Sequence, residues 1–87
     1  MLEGEVELTF RRADNPSRQV VMKAHVDDDF VDYVIEAAKK LGFGPGQRIG
    51  VAGTDGLPVG VEGRTVREVV LRRGTVFNIT SEKFLGR

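Results

Sequence analysis

The sequence predicts an α+β domain: a mixed sheet of four to five strands, one main helix packed across it, and a short second helix. Three observations predict this class. Two runs of apolar–polar alternation flank a proline-bearing turn near the start of the chain. The period changes to helical spacing between Phe30 and Leu41. After that, short apolar runs and one capped helical segment are separated by Gly- and Pro-bearing loops, the pattern of strands returning to a sheet.

From Glu5 to Arg12, Val6, Leu8 and Phe10 face one way, and Glu5, Glu7, Thr9 and Arg11 the other. That is a half-buried strand. Asp14-Asn15-Pro16-Ser17 is a turn cluster. Gln19 to Val26 alternates again with Val20, Met22, Ala24 and Val26 inward, so the chain opens with a hairpin.

Phe30, Val34, Ala38 and Leu41 then recur at helical spacing, with Val31 and Ile35 beside them. An aspartate of the Asp27-Asp28-Asp29 run is expected to cap this helix, and its neighbours suit the positive N-terminal end. Lys39 and Lys40 fall in the last turn, and Gly42 fits the C-terminal cap. Gly44-Pro45-Gly46 is a loop, Arg48 to Ala52 a short strand, and Gly53-Thr54-Asp55-Gly56 a tight turn. Leu57-Pro58-Val59 is expected to form a brief edge strand, where a proline is tolerated. Thr65-Val66-Arg67-Glu68 has the form of a capping box and opens a short helix to about Arg72, ended by Gly74. Val76 to Thr80 is the last strand, and Ser81 to Arg87 is read as a tail.

The chain has 87 residues, enough for one domain with a modest core. Lys plus Arg and Asp plus Glu both total 13, which removes the long-range attraction usual in a nucleic-acid binder. The charge is segregated: Met1 to Gly44 holds six basic and nine acidic residues, and Pro45 to Arg87 holds seven and four. Two readings stand: a two-faced docking surface with Arg64, Arg67, Arg72 and Arg73 on its basic side, or solvated faces that happen to segregate. There is no cysteine, so disulfides, thiolate catalysis and Cys-ligated metals are excluded. Nothing resembles a signal peptide or an apolar membrane span, and an intracellular protein is expected.

The order strand, strand, helix, strand, short strand, short helix, strand is most simply folded as one mixed sheet under a crossing helix. That is the β-grasp, or ubiquitin-like, architecture, spanning residues 1–80, with a tail at 81–87. Within it, Thr65-Val66-Arg67-Glu68-Val69-Val70-Leu71-Arg72-Arg73-Gly74, the Asp55-Gly56 turn before it and the tail after it resemble the ubiquitin-fold modifier family. The helix from Phe30 to Leu41, with its paired Ala37-Ala38, and the Asp14 to Ser17 turn are similar to the same family.

The resemblance implies a ubiquitin-like modifier joined to target lysines through the carboxyl of Gly86. A cysteine protease would cleave after Gly86, and an activating enzyme would use ATP to form the acyl-adenylate and then a thioester. A conjugating enzyme and a ligase would complete the transfer. The chain itself would bind no cofactor and no metal, do no catalysis, and act as a monomer in cytoplasm and nucleus, with no nucleic-acid partner and no membrane insertion. Glycine suits the role because a backbone without a side chain can enter a narrow catalytic channel. While Arg87 is attached the Gly86 carboxyl is an amide, so the chain as written resembles a precursor. Polar Ser81, Glu82 and Lys83 would keep the tail solvated, and Phe84 and Leu85 would fill pockets in the activating enzyme.

The chain departs from the family in three places. One residue is added between Gly56 and Thr65. Arg72 stands where family members carry a chain-building lysine, and arginine stays protonated, leaving Lys23, Lys39, Lys40 and Lys83 as candidate acceptors. Leu85 replaces the commoner valine.

Among Val21, Met22, Ile49 and Val51, Val21 points outward and is the best candidate for an apolar recognition point on the sheet. His25, the only histidine, falls on the outer face and makes no metal or nucleophile–base set. Asp27, Asp28, Asp29 and Asp32 lack the spacing of a calcium loop. Gly42, Gly44 and Gly46 follow a helix rather than open one, unlike a phosphate loop. Two rivals remain: a ubiquitin-like binding module that is never conjugated, and a sulfur carrier using a C-terminal thiocarboxylate, which Leu85 disfavours because such carriers usually end in Gly-Gly. No residue pair forms a credible acid–base or nucleophilic set for an enzyme.

Overall fold

The computed structural model describes residues 4–81, which form an α+β fold. A four-stranded mixed sheet carries one main helix and a second, short one. The elements are β1 (Glu5–Arg12), β2 (Asn15–His25), α1 (Phe30–Lys40), β3 (Ile49–Gly53), α2 (Val66–Arg73) and β4 (Val76–Ser81). The sheet order is β2-β1-β4-β3. β1 is antiparallel to β2, and β4 lies between β1 and β3, parallel to the first and antiparallel to the second.

Alternation places the expected residues inward. Leu8 and Phe10 of β1, Ala24 of β2, Val51 of β3 and Phe77 and Ile79 of β4 are buried, as are Phe30, Val34, Ala37 and Ala38 of α1. The rings of Phe10, Phe30 and Phe77 meet at the centre, with centroids 5.0 to 6.0 Å apart. Full burial of each such side chain contributes roughly 1.5–3 kcal/mol. α1 ends in a Schellman motif: Phe43 N–H donates to Ala38 O at 3.0 Å and Gly42 N–H to Lys39 O at 3.1 Å, with Gly42 at φ 94°. Arg12 closes this end, donating to Leu41 O at 2.8 Å and lying 4.2 Å from the Phe43 ring centroid.

Four expectations are corrected. The first turn is Ala13-Asp14 rather than Asp14 to Ser17, because Asn15 already pairs with Arg12 and the next ladder pair is Arg11 with Gln19. Pro16, Ser17 and Arg18 form the intervening bulge; Pro16 has no N–H to give a ladder. Two bonds from Arg12 to Asp14, at 2.9 and 3.1 Å, fix this turn and hold the Asp14 carboxyl below its usual range.

Asp29 is the N-cap of α1, yet its side chain makes no capping bond. The two helix starts satisfy each other through backbone instead. Phe30 N–H donates to Arg64 O, Val66 N–H to Asp28 O and Arg67 N–H to Val26 O, each at 2.9 Å.

The expected strand at Leu57 to Val59 is reduced to a single bridge between Ala52 and Pro58. Ser81, assigned to a solvated tail, is instead the buried last residue of β4.

Candidate functional site

Gly86, Arg87, Phe84 and Leu85 lie outside the described residues. What is described is the strand that leads to them. Ile79 still holds β1, accepting the N–H of Ala13 at 2.9 Å, whereas Thr80 and Ser81 pair only with Gly50 and Ile49 of β3. Ser81 Oγ accepts from Gln47 Nε2 at 3.0 Å, and Gln47 Oε1 accepts the Gly44 N–H at 2.9 Å. The end of β4 is therefore tied both to β3 and to the loop before it.

Val21 lies on the face of the sheet away from α1 and is 54% exposed, opposite Thr9 of β1. The pairs Glu7–Lys23 and Arg11–Gln19 flank it, and β2 is an edge strand. Met22, Ile49 and Val51 pack toward the core instead. The other large exposed apolar side chains among the described residues are Ile35, Leu57 and Leu71.

The four arginines divide into two pairs. Arg67 faces Asp27 at 3.3 Å. Arg73 reaches from the last turn of α2 to Pro58 O at 2.8 Å, Leu57 O at 2.9 Å and Asp55 Oδ1 at 3.4 Å. It thereby holds the Gly53 to Val59 loop, and Gly53 makes room for it: a Cβ there would stand 3.0 Å from Arg73 Nη2. Arg64 and Arg72 are exposed, and neither guanidinium has a hydrogen-bond or ion-pair partner among the described residues. Arg64, Arg72 and Arg73 line one hollow of about 160 Å³ with Val59, Glu68 and Val69. The four-residue spacing of Glu68 and Arg72 within α2 is the sequence signal that those two share a helix face; Arg64 precedes the N-cap Thr65 and has no such signal.

A second hollow, about 490 Å³, lies between α1 and the loop before β3, with Ile35, Ala38, Phe43, Pro45 and Ile49 on its apolar walls. Sequence periodicity places Ile35 beside the core face of α1; it is 49% exposed at this hollow.

The acidic run has structural partners. Asp28 accepts the Tyr33 hydroxyl at 2.6 Å, and that bond raises the Tyr33 pKa above its ordinary value. His25 is exposed, and its Nδ1 accepts the Asp27 N–H at 3.3 Å. No three His, Asp or Glu side chains gather into a metal-holding group among the described residues. No described helix is long and apolar enough to cross a membrane. No protein-family model matches the chain, and no curated protein matches it significantly.

Proposed function

We propose that this chain has the β-grasp fold and acts as a ubiquitin-like modifier, attached to target lysines through the carboxyl of Gly86. Cleavage on the C-terminal side of Gly86, which removes Arg87, frees that carboxyl. An ATP-using activating enzyme, a conjugating enzyme and a ligase carry it to the target, acting in cytoplasm and nucleus. The partners supply every nucleophile and base; the chain supplies the electrophilic carboxyl and the recognition surface. Phe84 and Leu85 serve as the apolar handle for the activating enzyme, and Val21 and the arginine face recognise partners.

The observation that carries the reading is the placement of β4. The last strand lies inside the sheet rather than at its edge, and its end is held by Ile49 and Gln47. Gly86 follows Ser81 by five residues, a reach of at most about 18 Å by covalent geometry. A firmly held strand with a short reach beyond it suits delivery of a terminal carboxyl into a partner's active site. The Thr65–Glu68 capping box that opens α2, and the Leu71-Arg72-Arg73-Gly74 segment that closes it, add support.

The test uses a tagged chain ending at Gly86, incubated with ATP and lysate of the source organism, beside a Gly86-deleted control. ATP-dependent, thiol-sensitive adducts absent from the control support activation through the glycine. Thiol-resistant adducts with an isopeptide bond at Gly86, found by mass spectrometry, separate conjugation from sulfur transfer. No adduct from folded protein in a lysate competent for other modifiers leaves the non-conjugated binding module as the reading.

A further inference from the structure

We propose that the hollow between α2 and the loop from Val59 to Arg64 binds a carboxylate side chain on an acidic segment of a partner protein. It deepens the recognition role proposed above and depends on that reading only for the existence of a partner.

Charge is the first argument. Three guanidiniums, of Arg64, Arg72 and Arg73, line the hollow against one carboxylate, that of Glu68. Glu68 Oε1 is already engaged by the Thr65 N–H at 2.9 Å in the capping box. Arg73 is fixed by two carbonyls and Asp55. Arg64 and Arg72 have no such engagement, whereas the adjacent Arg67 and Arg73 each face an aspartate. Two uncommitted forks beside one fixed fork, against the single carboxylate of Glu68, leave a net positive charge in the hollow.

The lining selects the anion. Val59 and Val69, 8% and 3% exposed, form an apolar floor beneath the guanidiniums. Guanidinium forks match a carboxylate through two parallel bonds. A glutamate can lay its methylene stem on the valines while its head meets the forks. A phosphate would also meet the forks, but it has no methylene stem to lay on the valines.

The test is a nuclear magnetic resonance titration of the full chain with a peptide of alternating glutamate and glycine, following the arginine Nε–H signals. Saturable shifts are expected at Arg64 and Arg72 and none at Arg18, which lies near Gly42 at the far end of α1. The glutamine counterpart of the peptide should be silent. R64Q and R72Q should each weaken binding about tenfold, the factor that about 1.4 kcal/mol represents, and R18Q should not. R72K, which keeps the charge but loses the fork, should also weaken it.

Three results overturn the proposal: no saturable shift; R72K binding as well as the parent chain, or equal losses in R18Q and R72Q, either of which reduces the effect to diffuse attraction; or inorganic phosphate binding more tightly than the peptide. The arginines are exposed, so unchanged thermal unfolding of each variant confirms that folding is not what was measured. Nothing in this titration involves Gly86, so it can fail while activation succeeds, and the reverse.

Discussion

Gln47 donates from Nε2 to the Ser81 hydroxyl at 3.0 Å, joining the last residue of β4 to the loop that precedes β3. The same side chain accepts the Gly44 N–H. One residue thus shapes the loop and holds the strand end from which the segment toward Gly86 departs. Gln47→Ala removes both bonds and should cost about 1 kcal/mol, a fall of roughly 4–8 °C in Tm for a domain of this size. Amide exchange at Thr80, which pairs with Gly50 of β3 beside Ser81, should accelerate while that of Phe10 in β1 stays slow. Unchanged exchange at Thr80 would show that the β3 ladder alone holds the strand end.

The two helix starts predict opposite sensitivities. Thr65 Oγ1 accepts the Glu68 N–H at 3.2 Å and Glu68 returns a bond to the Thr65 N–H, so Thr65→Ala should cost about 1 kcal/mol. Asp29 caps α1 in position only, with no side-chain bond, so Asp29→Ala should change stability by less than about 0.5 kcal/mol. Chemical denaturation of the two variants measures both. Equal losses would contradict the assignment of α1's first donor, Phe30 N–H, to the Arg64 carbonyl.

Local patterns in the sequence carried the elements, and long-range partners decided the details. Leu8 and Phe10, Phe30 and Val34, and Thr65 with Glu68 were legible because period and capping act within a few residues. The side-chain cap expected from the aspartate run was not. Asp27 is taken by Arg67, forty residues away, and Asp28 by Tyr33. The strand expected at Leu57 to Val59 gave way to a loop held by Arg73, a contact with no local signature. Ser81 looked like tail because it is polar; its register opposite Ile49 and its bond to Gln47 bury it. At the candidate site, the outward direction of Val21 could be read from alternation. Which arginines remain uncommitted could not, because that depends on where Asp27 and Asp55 fall in space.

Val21 offers a test of surface against core. It is 54% exposed on the outer sheet face and meets Thr9 across the β1–β2 ladder. Val21→Asp should therefore leave the fold intact, with stability within about 1 kcal/mol of the parent. If the outer face recognises partners, the same change should weaken the ATP-dependent adduct formation described above. A full loss of native structure by circular dichroism would place Val21 in the core. Normal adducts from the folded variant would remove the outer face from partner recognition.

Tyr33 is the only tyrosine and the chain has no tryptophan, so its ionisation can be followed by ultraviolet absorbance without interference. Its hydroxyl donates to Asp28 Oδ2 at 2.6 Å, a bond that favours the neutral phenol. The backbone N–H of His25, donating to the Tyr33 hydroxyl oxygen at 3.1 Å, opposes this less strongly, and the pKa is raised above its ordinary value of 10.0. Because the folded value is the higher one, the bond's contribution to stability is whole below about pH 10 and is lost as pH rises through the folded value. The absorbance midpoint of the folded protein should accordingly lie above 10, and Asp28→Asn should bring it back toward the ordinary value. The parent chain should also lose stability above pH 10 more steeply than Asp28→Asn, with denaturant midpoints recorded on both sides of the transition. A midpoint at or below the ordinary value in the parent would mean that the Tyr33–Asp28 bond does not persist in solution.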